Sequence, residues 1–520
     1  MTAVALFPEP DPKPFTRADA FANQVKSLLR SPAMEQKTHS EMEEFLNDKS
    51  REWARLLMEE NLELRAIAEE RLRVVDSSGK ERQSARGSLR HLGTILGRVA
   101  VPRLAYQSPA ATDLHPMDGA LNLPRELYSH GVRRVVAIEA ASSSFEEVVE
   151  KVRMYTGANI SKRQVLDLTI RAAQDFDAFY SQRSQSDTTS DDLLVISTDA
   201  KGIVMRHEDL REGTRQAAER SVRPVESRLR PGQKENRKRL AQVVTVYSVA
   251  RHIREPQDIL GASESACSEN QRPRPTDKRV WASVKKEAKA VIGEAFDEAQ
   301  RRDPEHKRQW VVLVDGDQKQ LRAVKAEAKR LGVDITIIAD FVHVLEYIWD
   351  AARALFGETS AEAESWVRYQ LMGLLSGVSG EETVECIRSW QMRADLSPSA
   401  IAAIDKTCHY LTDPERMLMI QYSKALELGL PIATGVIEGA CRYLVKDRLD
   451  RSGARWSLTG ADAVLQLRAI RASHDFDEYW KFHLAQENYR NHACHYQDET
   501  IPNPIPQPKT TGKSHIRRVK

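Results

Sequence analysis

The sequence contains no CxxC pair, although it has five cysteines, Cys267, Cys386, Cys408, Cys441 and Cys494. Scattered singly, they argue against a structural zinc site and against a disulfide framework, and they fit a reducing compartment. Cys408-His409 and His492-x-Cys494-His495 come nearest to ligand clusters, and neither has a second half. No run of about 18 apolar residues is present, and the N-terminus has no apolar signal core. A cytoplasmic protein with no membrane partner is expected. Net charge is also nearly absent, at +2 over 520 residues. Affinity for nucleic acid would therefore have to come from local patches. Two stand out: 223–239, with Arg223, Arg228, Arg230, Lys234, Arg237, Lys238 and Arg239, and the tail after Pro508, with Lys509, Lys513, Arg517, Arg518 and Lys520.

What is present is the composition of a folded protein. Hydrophobic residues make up 41% and charged residues 29%, which excludes a disordered chain. The length predicts two to four domains. Residues 1–37 are Pro-rich and weakly patterned. From Glu41 to Val75, Met42, Leu46, Trp53, Leu57, Leu64 and Ile67 recur at helical spacing. They predict one long helix, either a coiled-coil dimerisation element or a helix docked on its own domain. Ser88 to Gln107 has β-rich runs around a glycine and predicts a hairpin.

Between Leu123 and Phe176, two short helices are predicted on either side of Thr156-Gly157-Ala158-Asn159, with Ser161 able to cap the second. Helix, glycine turn and capped helix is the grammar of a helix-turn-helix. It would place Lys162, Arg163 and Gln164 at the start of a recognition helix. Such pairs also occur in plain helical bundles.

The pattern then changes. Leu193–Gly202, Ile203–His207 and Leu240–Ala250 read as strands, followed by a helix over 282–302. Strand 310–317, helix 319–331 and strand 335–343 come next, and the whole predicts a mixed sheet flanked by helices. Residues 345–425 read as all helical, with Trp349, Trp366 and Trp390.

Three acids occupy telling places. Asp199 ends the apolar run LLVIST and Asp315 ends WVVLV, so each would leave a rigid sheet at its C-terminal edge, where α/β sites form. Two carboxylates brought together repel unless a cation sits with them. Magnesium, with its preference for oxygen ligands, answers that need. Glu438, near the start of a helix in TGVIEGACRYLVKDRLDRSGARWS, would share a face with Arg442, Val445 and Leu449. A third acid on such a helix would complete a two-metal site for phosphodiester chemistry. Each acid also has a plainer role as a turn, cap or first-turn residue. First-strand acid, fourth-strand acid and later helical acid is the ribonuclease H-like layout. Asp340-Phe-Val-His343 adds a strand-end acid with a histidine three residues on.

The segments SFEEVVEKVRMYTGANISKRQV, STDAKG, VVLVDGDQKQ, DFVH and TGVIEGACRYLVKDRLDRSGARWS resemble the ISKra group of bacterial insertion-sequence transposases, within the DDE superfamily that also holds Mutator-like enzymes. The resemblance covers most of the chain. It implies that Asp199, Asp315 and Glu438 are catalytic and bind Mg2+ or Mn2+, with two ions. Asp340 and His343 then match an accessory motif, and Asp317 or Asp340 remains an alternative to Asp315 as second ligand. It also implies an α+β multidomain chain. In that chain, a helical N-terminal DNA-binding region precedes a ribonuclease H-like mixed α/β core interrupted by an all-α insertion. The expected divisions are 1–87 (helical), 88–122 (hairpin), 123–180 (helix-turn-helix), 190–344 with 426–475 (core), 345–425 (insertion) and 476–520 (C-terminal helix and basic tail). Arg442, Lys446, Arg448, Arg451 and Arg455 are expected to neutralise DNA phosphates. The expected partners are double-stranded DNA, as terminal repeats and target, and further copies of the chain, at least a dimer when two ends are held. A nuclease or resolvase that cuts without joining, and a DNA-binding regulator with an inert core, are the competing expectations.

Overall fold

The computed structural model of the chain describes residues 14–82, 84–109, 111–183, 191–220, 237–261, 273–357, 360–392, 395–433, 435–451 and 453–505. Two units result: Met1–Ser181 with Asp477–Lys520, and Gln182–Phe476. The chain is α+β, with helices throughout and one sheet in each unit.

In the first unit, Thr38 and Glu41 satisfy each other's backbone N–H groups and start the helix His39–Ile67. Two expectations change here. Residues Thr16–Leu29, within the stretch read as Pro-rich and weakly patterned, form a helix, and the long helix stops at Ile67, short of Val75. Met58 and Leu62 pack against Leu92, Val99 and Val101 of a hairpin, so that stretch of the helix is docked on its own unit. The hairpin strands are β1 (Ser84–Thr94) and β2 (Gly97–Ser108), antiparallel, with Gly97 at φ 120° in the turn. A short third strand, β3 (Ala111–Leu114), pairs with β2.

Ser144 caps the helix Phe145–Thr156, and Gly157 ends it in the left-handed region at φ 69°. Ser161 and Gln164 then form a second capping box that opens Lys162–Ala173. Val148, Val152, Ile160, Val165 and Leu168 close a core with Val132, Val136 and Ala140 of the helix His130–Ala140. The C-terminal helix Phe476–Asn491 belongs almost wholly to this unit, where Tyr479 donates to the Ala172 carbonyl.

The second unit is built on five strands: β4 (Leu193–Val204), β5 (Lys238–Val249), β6 (Thr276–Ser283), β7 (Trp310–Val314) and β8 (Ile335–Ala339). Their order is β6-β5-β4-β7-β8. β5 pairs antiparallel with both β4 and β6, whereas β4, β7 and β8 are parallel. The two strands expected at 193–202 and 203–207 are one, because Gly202 stays in the ladder opposite Leu240. The third strand instead comes from Thr276–Ser283, and the helix expected from Ala282 begins at Ala288. That helix, Ala288–Arg302, packs on β4 and β5 and on the helix Gln318–Leu331.

From Phe341 to Glu427 the described residues are helices and their connections: Phe341–Phe356, Ala361–Leu375, Gly380–Gln391, Pro398–Thr412, Pro414–Met417 and Tyr422–Glu427. Phe356 packs between Trp366 and Trp390, at ring separations of 5.9 and 5.2 Å. Gly435–Ala440 then returns the chain to β4 and β5, and Leu458–Ala472 packs on β6. No helix among the described residues is long and apolar enough to cross a membrane.

Candidate active site

Strand register places the acids. β4 and β7 pair in parallel up to Ser197 and Leu313, so the same register two residues on sets Asp199 beside Asp315. β7 and β8 pair up to Val314 and Ala339, which sets Asp315 beside Asp340. Neighbouring strands lie about 4.8 Å apart. The backbone positions of three aspartates therefore share one level of the sheet.

Their surroundings differ. Asp199 does not end its strand: β4 continues to Val204, and Asp199 remains opposite Val243 of β5. The antiparallel ladder holds its backbone on the side away from β7. Its Oδ1 accepts the Ala200 N–H at 2.6 Å, and its Oδ2 accepts the Cys441 thiol at 3.1 Å. Asp315 lies just past β7 and accepts the Asp317 N–H at 2.8 Å. Burial pushes its carboxyl above the ordinary range, and the charge of Asp199 adds to that. The Asp317 N–H and His343 pull in the opposite direction. Asp317 is exposed and caps the helix Gln318–Leu331 through the Lys319 and Gln320 N–H groups. Asp340 is 5% exposed and caps Phe341–Phe356 through the Val342 N–H. The strand expected to run to His343 thus ends at Ala339. His343 sits in the first turn of the following helix, with Nδ1 3.4 Å from Glu346.

The Glu438 helix reaches the same edge by way of Cys441. Ile437, Ala440, Cys441, Leu444 and Val445 are buried, whereas Glu438 is exposed. Burial lifts the Cys441 thiol pKa and the charge of Asp199 adds to it, so the sulfur stays protonated and can donate. Residues Cys441–Lys446 form a π-helical turn. The wider turn shifts the helical phase, and the single face expected for Glu438, Arg442, Val445 and Leu449 does not exist. Glu438 and Arg442 face solvent, while Val445 and Leu449 are buried. π turns concentrate at functional sites.

Among the described residues, no group of three or more His, Cys, Asp or Glu side chains is close enough to hold a metal ion. The donor set nevertheless fits a hard cation. Asp199 and Asp315 are adjacent carboxylates, one of them raised by burial and by its neighbour's charge, and an oxygen-seeking dication is the counter-charge such a pair lacks. Glu438 makes no hydrogen bond or ion pair among the described residues.

The expected DNA contacts sort in three ways. Arg163, Lys446, Arg451 and Arg455 are exposed. Lys162 pairs with Glu146 at 2.5 Å, and Arg442 lies 3.8 Å from Asp447. Gln164 and Arg448 depart from expectation. The Gln164 carbonyl oxygen accepts the Ser161 N–H and the Tyr128 hydroxyl, at 3.0 and 3.1 Å. Arg448 is buried with its guanidinium 4.8 Å from the Trp456 ring, a packing role. The basic run at 223–239 falls mostly, and the tail after Pro508 wholly, outside the described residues.

The first unit has a polar cleft of about 820 Å3 that sequence gave no sign of. Its cations are largely neutralised from within, Arg82 by Asp76 and both Arg90 and Arg103 by Asp118. Sequence reasoning also missed Cys441, whose one available signal is its three-residue spacing from Glu438. The four described cysteines are free thiols. No protein-family model matches the chain, and no curated protein is significantly similar to it.

Proposed function

We propose that the chain is a DNA transposase of the DDE type, with a ribonuclease H-like core in the second unit that cuts phosphodiesters at an element's ends and joins them to target DNA. One observation carries the reading. Asp199 and Asp315 share a register level on adjacent parallel strands, and the helix bearing Glu438 touches Asp199 through Cys441. The strand order supports it: three antiparallel strands joined to two parallel ones, with the acids at the junction, is the layout of that fold.

In this reading Asp199 and Asp315 hold Mg2+ or Mn2+, and Glu438 is the third acid. When bound, such ions activate the attacking oxygen and stabilise the leaving one. The residues themselves supply placement. β5 fixes the backbone at Asp199, the Asp317 N–H orients the Asp315 carboxylate, and Asp340 anchors the helix that carries His343. Glu438 is free to approach because nothing among the described residues ties it down. Exposed Lys446, Arg451 and Arg455 lie beyond the acid on the same stretch of chain, where phosphates would need neutralising. In the first unit, Arg163 and Lys162 at the start of Lys162–Ala173 are the groups available to duplex DNA, which would be held by at least two copies of the chain.

The test incubates purified protein with labelled duplexes from both boundaries of its own coding locus, a target plasmid, and Mg2+ or Ca2+. Cleavage and joining with Mg2+, and binding alone with Ca2+, are expected. Cutting without joined product would make the chain a nuclease. Sequence-specific binding with no cutting under any divalent ion would make it a regulator with an inert core.

A further inference from the structure

The helical segment between β8 and the Glu438 helix reaches back to the strand-end acid. Tyr410, in Pro398–Thr412, donates its hydroxyl to the Asp315 carbonyl at 3.1 Å. Arg416, in Pro414–Met417, donates through Nε and Nη2 to the Gly316 carbonyl at 3.1 and 2.9 Å. These partners lie 95 and 100 residues apart in sequence. The two donors also brace each other, with the Arg416 guanidinium 4.6 Å from the Tyr410 ring. Tyr347 stacks on Tyr410 at 4.0 Å and 22°, so the phenol is fixed by its neighbours before it bonds.

The receiving backbone is shaped for this approach. Gly316 has φ 88°, and a Cβ there would lie 3.1 Å from both the Arg416 Nε and the Tyr410 hydroxyl. Glycine is required twice over, for its dihedral and for its bareness. The two carbonyls flank the torsions of Gly316, so fixing both holds the backbone on which the Asp315 carboxylate, already tied to the Asp317 N–H, is carried. Without outside partners, the three-residue link between strand and helix, Asp315 to Asp317 with glycine at its centre, would sample several directions.

We propose that Tyr410 and Arg416 are positioning residues for Asp315. The helical segment thereby sets the direction of the second acid, and whatever moves that segment changes the site's hold on a divalent cation. This rests on Asp315 being an acid of a metal-dependent site. Neither residue touches the reacting atoms; both act through the Asp315–Gly316 backbone. A displacement of about 1 Å at such a group costs around a hundredfold in rate.

The test uses the full chain with Tyr410→Phe, Arg416→Lys and, as a packing control, Trp366→Phe in the same helical segment. Three quantities are read: hydrogen exchange of the peptide spanning 313–320, Mn2+ affinity by paramagnetic resonance, and single-turnover cleavage against Mg2+ concentration. For Tyr410→Phe and Arg416→Lys, exchange is expected to rise about tenfold and Mn2+ affinity to fall by a similar factor. Cleavage should fall by about ten- to a hundredfold, partly recovered at high Mg2+. Trp366→Phe should lower the melting temperature without moving exchange at 313–320. Wild-type exchange and Mn2+ affinity in both positioning variants would overturn the proposal, as would an equal response to Trp366→Phe. A wild-type protein that binds Mn2+ but never cuts DNA would sink the transposase reading and leave the positioning result standing.

Discussion

Two groups of acids, one in each unit, are treated in opposite ways. In the first unit, Arg133 is fully buried between Glu126 and Glu487, the Glu487 contact measuring 2.5 Å. His483 bonds Asp175 at 2.7 Å, and Arg490 joins Asp175 to Glu487. Burial pushes the Glu487 carboxyl up, but Arg133, His483 and Arg490 together outweigh it and hold it at about 2. In the sheet of the second unit, Asp199, Asp315 and Asp340 share one level, and Asp315 is raised chiefly by burial, with the charge of Asp199 adding to it. A buried acid matched by cations serves the fold. A buried acid paired with another acid costs stability, and such costs collect where chemistry is done.

The sharpest break of that contrast is to remove the unmatched charge. Asp199→Ala should drop cleavage to background with end binding intact. Asp315→Asn should do the same while making the protein more stable at pH 7. The sign follows from the raised carboxyl: its charge costs nothing below the unfolded value near 4, and the cost grows as pH rises from there to the raised folded value and is full above it. Urea midpoints for wild type and variant should thus converge at pH 3. A less stable Asp315→Asn at pH 7 would show that Asp315 is a structural acid after all.

The matched acid should behave in reverse. Glu487→Gln leaves Arg133 buried and half-partnered, and should cost about 3 kcal/mol at pH 7 with cleavage chemistry spared in the protein that remains folded. A carboxyl held at about 2 contributes stability above its unfolded value near 4.3, lost as pH falls from there towards 2. Thermal melts of wild type from pH 7 to pH 3 should lose more than those of Glu487→Gln, so the two curves approach each other in acid. Parallel curves would remove Glu487 from the balance.

The smallest effect sharpens the same division among cations. Arg451→Ala should weaken DNA binding about equally on all sequences and flatten the salt dependence by about one unit. Arg448→Ala, which loses its place over Trp456, should instead lower the melting temperature with the salt slope unchanged. Equal salt slopes for the two variants would mean that exposure does not separate phosphate contacts from packing here.

Much of this was legible in sequence because β4 and β7 carry unbroken apolar runs that end in acids, and buried parallel strands leave that signature. β6 was not legible, since Thr276, Asp277, Lys278 and Arg279 disguise a strand whose apolar half, Val280 to Ala282, is only three residues long. Gly202 looked like a break and is not, because the pairing with β5 continues past it. The face of the Glu438 helix was misjudged for a different reason: periodicity assumes 3.6 residues per turn, and Cys441–Lys446 does not obey it. Pairings across long loops, such as Tyr410 with Asp315, leave no local trace whatever. Cys441 beside Asp199 is the same kind of contact, 242 residues apart.

Chain order adds a temporal dimension to Arg133 and Glu487, which are 354 residues apart with the whole second unit between them. A ribosome adding about 5–20 residues per second needs roughly 20–70 seconds to cover that interval. Throughout it the nascent chain carries a buried-to-be arginine with only one of its two counter-charges, Glu126, in place. The second unit, continuous in the chain, has all of its residues made before the first unit can close. Birth order therefore runs backwards from position in the chain, and the N-terminal unit is the last to be finished.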